Sequence, residues 1–185
     1  MPNYCQNKLE VTHKDPAMLN KLVAAFNKKK VADAFHPEPD WGEIIRQEKL
    51  AKMKADAASP KASHALIEML DLDIDIEEEL AIDHRWYDWR IVHWGTKWDF
   101  GGSTHKDENG KLTFHFDTAW TPPLGVYEKL VRAGFTVKAF YNEDGVGFCG
   151  IYAGDSREIY KNEYSGKELE EIKEPGLIKF LAEKS

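Results

Sequence analysis

A strand-like stretch followed at once by a proline-started helix occurs twice in this chain, and that repetition constrains the fold more than any other feature. The first copy is Tyr4–Thr12, whose loose alternation reads as a strand, followed by Asp15-Pro16. Aspartate caps a helix N-terminus, and proline fits the first turn because its missing N–H has no partner there anyway. The helix runs to about Lys29, with Leu19, Leu22, Val23 and Phe26 on one face. The second copy is Lys111–Trp120, with Leu112, Phe114 and Phe116 on one face and Thr113, His115 and Asp117 on the other. Thr121-Pro122-Pro123 then opens a helix to about residue 133, its apolar face formed by Leu124, Tyr127, Leu130 and Val131.

Between the copies, Val31 to Phe35 reads as a short strand, and Gly101-Gly102 and Asn109-Gly110 as turns. Arg85 to Trp98 starts with helical spacing that Gly95 can end. After the second copy, Phe135–Asn142, Val146–Ala153 and Ser156–Glu163 read as strands joined by turns at Glu143-Asp144-Gly145 and Gly154-Asp155. A charged helix over about 166–173 and a last helical turn from Leu177 to Ala182 close the chain. The expectation is an α+β fold: a ferredoxin-like split βαββαβ antiparallel sheet with helices on one face, plus added C-terminal hairpin strands.

The stretch 42–83 departs from this pattern. It reads as two helices, about 42–57 and 61–80, broken at Ser59-Pro60. Residues 41–83 hold five Lys or Arg against eleven Asp or Glu, so they carry −6 of the chain's net charge of −7. We read this stretch as an acidic helical insertion within one ferredoxin-like domain spanning 1–185. The overall charge argues against direct nucleic-acid binding, which needs basic surface. The acidic run containing Asp71, Asp73, Asp75, Glu77, Glu78 and Glu79 has two readings: a solvated helix face, or a mimic of nucleic acid that meets a basic partner groove.

Aromatic residues concentrate in the middle, where five of six tryptophans fall between positions 86 and 120. Trp94, Trp98 and Trp120, with Lys97, Asp99 and Asp117 close by in sequence, are the candidate binding residues. They read either as one pocket or as one Trp-rich core whose N–H groups the two carboxylates satisfy. Arg90 and Lys97 are candidates to pair with Asp99 and Asp117.

No phosphate loop, nucleophile elbow or dinucleotide fingerprint is present, and the seven histidines show no i, i+4 pair of the helical zinc type. His93, His105 and His115, and a carboxylate set of Asp99, Asp117 and Glu143, are the residual metal and acid–base candidates. Cys5 and Cys149 read as reduced thiols, neighbours on adjacent strands. The expectations are therefore no catalytic residues, no metal and no cofactor, with neither a membrane span nor a secretory leader.

At these motifs the chain resembles the YubB-type ferredoxin-like proteins of bacteriophages, prophages and conjugative plasmids. The resemblance rests on Met1-Pro2-Asn3-Tyr4-Cys5-Gln6-Asn7-Lys8-Leu9, Trp94-Gly95-Thr96-Lys97-Trp98-Asp99, Phe116-Asp117-Thr118-Ala119-Trp120-Thr121-Pro122-Pro123, and the Tyr141 to Gly150 hairpin with Glu143 and Phe148-Cys149-Gly150. It covers about 1–40 and 85–155, and departs at His93, where the pattern has Asn. It implies a ferredoxin-like domain in a mobile-element accessory protein of the bacterial cytoplasm. The functional expectation is a non-catalytic module that binds a host or phage protein. The alternative is an enzyme handling a nucleotide or another small molecule in a Trp/Asp-lined pocket.

Overall fold

In the computed structural model, residues 3–57, 79–80, 82–106 and 110–183 are described. The chain divides into two compact units, residues 1–37 with 89–185 and residues 38–88.

The larger unit is built on a six-stranded, wholly antiparallel sheet in the order β2-β3-β1-β4-β5-β6. The strands are β1 (Tyr4–Thr12), β2 (Ser103–Lys106), β3 (Leu112–Ala119), β4 (Thr136–Glu143), β5 (Phe148–Gly154) and β6 (Ile159–Ser165). The first four form the split βαββαβ unit, in which β3 is inserted between β2 and β1. The hairpin strands β5 and β6 extend the sheet from the β4 edge. Leu9 of β1 faces Phe114 on one side and Ala139 on the other, which fixes the inward register of three strands together.

Helix α1 (Pro16–Lys28) follows β1. The Asp15 carboxylate caps it by accepting the Ala17 N–H at 2.8 Å, and Lys29 ends it in the left-handed conformation with φ 54°. The next stretch, Val31–Phe35, is a short helix, α2, rather than the strand its Val and Phe suggest. The Asp99 carboxylate, 66 residues further on, accepts the amides of Ala32 and Asp33 and so stabilises a helix too short to stand alone. The second strand of the βαββαβ unit is instead Ser103–Lys106, where the sequence shows only turn residues. It is a four-residue edge strand, too short to reveal an alternation. Gly102 meets it, because a Cβ there would lie 2.0 Å from the His115 carbonyl.

The two sheet faces are covered differently. Under α1 and α5 (Leu124–Arg132), Leu9, Val11, Phe114, Phe116, Val137 and Tyr152 meet Leu22, Phe26, Tyr127 and Leu130 in the main core. Phe26 stacks on Phe114 at 3.8 Å between centroids, and Phe100 on Phe116 at 4.6 Å. On the opposite face, α6 (Pro175–Ala182) lays Leu177 and Phe180 over Phe140, Cys149 and Ile151. Helix α6 thus covers the β4–β5 part of the face that the split unit leaves open. Cys5 and Cys149 are both buried, but on opposite faces of the sheet and with β4 between their strands, so they are not neighbours.

The smaller unit contains α3 (Trp41–Ala57) and the start of α4 (Arg85–His93). Arg85 binds Asp83 at 2.7 Å and Glu48 at 2.8 Å, and Lys49 binds Glu79 at 2.8 Å. The expected helix over 61–80 falls mostly outside the described residues. So do Asp71, Asp73, Asp75, Glu77 and Glu78.

Candidate functional site

The motif segments around Trp94–Asp99 and Ala119–Pro123 are two loops that grip each other. Thr96 is buried, and its hydroxyl both accepts the Ala119 N–H (3.1 Å) and donates to the Ala119 carbonyl (3.3 Å). The Thr121 hydroxyl donates to the Gly95 carbonyl. Gly95, at φ 84°, turns the chain after α4, and a Cβ there would stand 2.8 Å from the Pro122 carbonyl.

This grip does not gather the six candidate residues into one pocket. Trp94 belongs to the core: it is 1% exposed, and its indole N–H donates to the His36 carbonyl at 2.7 Å. The Arg90 guanidinium lies 4.8 Å from its ring, and Trp89 meets it edge-on. Trp98 and Trp120 are on the surface, 41% and 37% exposed. Between them stands Lys97, with its ammonium 4.9 Å from the Trp98 ring and 5.6 Å from the Trp120 ring. Each distance is within cation–π range.

Trp120 has φ 64°, a left-handed conformation that a bulky L-residue adopts only against strain. Its N–H donates to the Asn3 carbonyl at 2.9 Å, which helps to hold the turn. Trp98, Lys97 and Trp120 therefore form an aromatic ledge with a cation at its centre.

Asp99 acts inward. Its carboxylate accepts the N–H groups of Ala32 (2.7 Å), Phe100 (2.8 Å) and Asp33 (3.0 Å). Burial pushes its carboxyl above the ordinary range, and the three amides pull against that. Asp117 lies exposed on β3, opposite Gln6, on the sheet face away from α1 and α5. Glu143 is buried and receives the amides of Gly145 and Val146, so it holds the β4–β5 turn. The carboxylates of the acid–base set are thus dispersed. Among the described residues, no group of three or more His, Cys, Asp or Glu could hold a metal ion.

Sequence reading missed a buried polar network beneath α5. The Asn7 amide donates to the Cys5 carbonyl (2.8 Å) and the Thr118 hydroxyl (2.9 Å), and its oxygen accepts from the Tyr127 hydroxyl (3.0 Å). Burial pushes the Tyr127 hydroxyl well up, so it remains a neutral donor. The only signal was a polar residue at an inward position of an alternating strand.

Fold and site together define a ferredoxin-like α+β protein whose exposed aromatic residues lie on two interlocked loops. Comparison with known families agrees on the fold: residues 93–176 match the model described as a ferredoxin-like domain in Api92-like protein. The matched segment carries both Trp motifs and runs from the end of α4 to the start of α6. That description states a fold and not an activity. The crystal structure of protein Api92 from Yersinia pseudotuberculosis is similar over 90% of this chain and 99% of that chain, with 12% sequence identity and a TM-score of 0.49. No curated protein matches the chain. Among the described residues, no helix is long and apolar enough to cross a membrane.

Proposed function

We propose that this chain is a non-catalytic module that binds a protein partner through the ledge of Trp98, Lys97 and Trp120. One observation carries the reading: Trp120 keeps a strained left-handed backbone while the residue stays more than one-third exposed. Glycine would occupy that turn without strain, so the strained turn is better explained by what the indole presents outward. Tryptophan contributes strongly to binding hot spots, and a cation between two indoles suits a partner surface that offers an apolar side chain beside a carboxylate.

The resemblance to phage and plasmid proteins supplies the setting, a mobile-element accessory protein acting on a host factor in the bacterial cytoplasm. The test is affinity capture from host lysate with the wild-type chain and the Trp98→Ala/Trp120→Ala variant. A specific partner that the variant no longer retains, at unchanged melting temperature, supports the reading. Equal retention by both overturns it. Reversing the charge of Asp71, Asp73, Asp75, Glu77, Glu78 and Glu79 separates the ledge from the nucleic-acid mimic, because only the mimic loses its partner by that change.

A further inference from the structure

On the same larger unit, a second concavity plays no part in the ledge. His36 at the end of α2, Val92 and His93 at the end of α4, and one face of α5 line a cleft of about 410 Å³. Positions 125, 128, 129 and 132 recur at i, i+3, i+4 and i+7, so Gly125, Glu128, Lys129 and Arg132 share that face. The end of α4 meets the start of α5 very closely. A Cβ on Gly125 would come within 1.9 Å of the His93 carbonyl, so only glycine lets α5 lie this near. That contact sets His93 beside the cationic face of α5, and His36 reaches the same cleft from the end of α2.

The polar lining is two fixed cations, two imidazoles and a single carboxylate, in a chain of net charge −7. Neither Lys129 nor Arg132 has an ion pair with a described residue. The His36 and His93 rings lie 5.6 Å apart, edge to face. His93 stacks on Trp89 at 4.4 Å, where an imidazolium gains from the indole face. Like charges crowd together here with too little negative charge to balance them. The volume is within the range of small-molecule sites.

We propose that this cleft binds a phosphate-type dianion, as the free ion or as the terminal group of a small phosphate ester, between Lys129, Arg132 and the imidazoles of His36 and His93. Arg132 offers a planar fork of donors and Lys129 a compact charge. The histidines complete the charge when protonated. Burial and then Lys129, His93 and Arg132 hold His36 below its ordinary range. Glu128 on α5 is the one opposing charge that lines the cleft. An anion reverses that balance at His36, so binding of an anion of fixed charge strengthens as pH falls.

Sulfate is the first probe, because it stays doubly charged while histidine titrates between about pH 5 and 8. The histidine ring protons are followed by NMR in sulfate and in chloride at matched ionic strength. His36 should titrate higher in sulfate by about half a unit or more. Lys129→Ala with Arg132→Ala should weaken sulfate at least tenfold by calorimetry, while Glu128→Gln should tighten it. Inorganic phosphate against adenosine 5′-monophosphate then separates the two sources of the group: tighter ester binding assigns a phosphate ester, and equal affinity assigns the free ion. Identical His36 titrations in sulfate and chloride overturn the proposal, as does undiminished sulfate affinity in the double variant. The NMR arm needs only the wild-type chain, and neither arm depends on the ledge.

Discussion

Trp94 and Trp120 sit on loops that hold each other, yet they do opposite work. Trp94 follows a helix, fills the core and spends its only polar group on the His36 carbonyl. Trp120 follows a strand, takes a left-handed backbone and leaves its ring in solvent beneath Lys97. Residue type cannot separate them, since indole is large enough to be costly when exposed and useful when presented. What separates them is the backbone. The turn at Gly95 and the bonds from Thr96 to Ala119 fix the course of the loop, along which Trp94, Thr96 and Phe100 are buried while Trp98 breaks the alternation and faces outward.

The largest expected effect tests the buried member. Trp94→Ala should cost about 3–5 kcal/mol in urea unfolding, through lost burial and the cavity left behind. Trp94→Phe keeps most of the volume but strands the His36 carbonyl, and should cost less. A loss below about 1 kcal/mol for the alanine variant would place Trp94 outside the core and end the contrast.

Next in size is Gly125→Ala. The added methyl meets the His93 carbonyl and approaches the Trp94 amide at 3.5 Å, both of them backbone. Neither neighbour can swing aside, so we expect a loss of about 1–3 kcal/mol. Read by melting temperature, this checks whether the packing beside Trp94 is as close as the structure shows.

Asp99 ties the loop that carries Trp98 to α2, and its effect depends on pH. Burial raises its folded-state pKa above the unfolded value, so its contribution to stability is full below the unfolded pKa and is lost as pH rises through the folded one. Asp99→Asn removes that titration and keeps an oxygen acceptor. Wild type should therefore lose stability relative to the variant as pH rises from about 4 to 6. A difference that does not change with pH would show that the three amides cancel the burial completely.

Much of the fold was legible in the sequence, and the reasons are particular. β1, β3, α1 and α5 carry long apolar periodicities and sharp proline or aspartate starts, and they appear within a residue or two of expectation. The second strand was misplaced because both contenders were short. Val31–Phe35 has strand-forming residues but is capped into a helix by Asp99, a contact 66 residues away that no local pattern contains. Ser103–Lys106 is a strand only because β3 lies beside it. The site was less legible for the same reason. The residues of the ledge were identified, but their division from Trp94 and Asp99 depends on hydrogen bonds between distant loops. The His36–His93–Lys129–Arg132 cleft left no motif, since its members come from three helices.

The smallest effect on stability tests the exposed member, and its sign matters more than its size. Left-handed backbone costs an L-residue about 1–2 kcal/mol and glycine almost nothing. Trp120→Ala keeps that strain and loses the contact with Lys97, worth about 0.5–1 kcal/mol at an exposed site. Trp120→Gly loses the same contact but sheds the strain, against about 0.5–1 kcal/mol of extra chain entropy in the unfolded state. The glycine variant should therefore be at least as stable as the alanine variant, and within about 1 kcal/mol of wild type. That order is the reverse of what alanine and glycine show in ordinary helix or strand positions. Urea midpoints of the two variants decide it: alanine clearly above glycine would mean that Trp120 is not held left-handed, and the contrast with Trp94 would reduce to one of exposure alone.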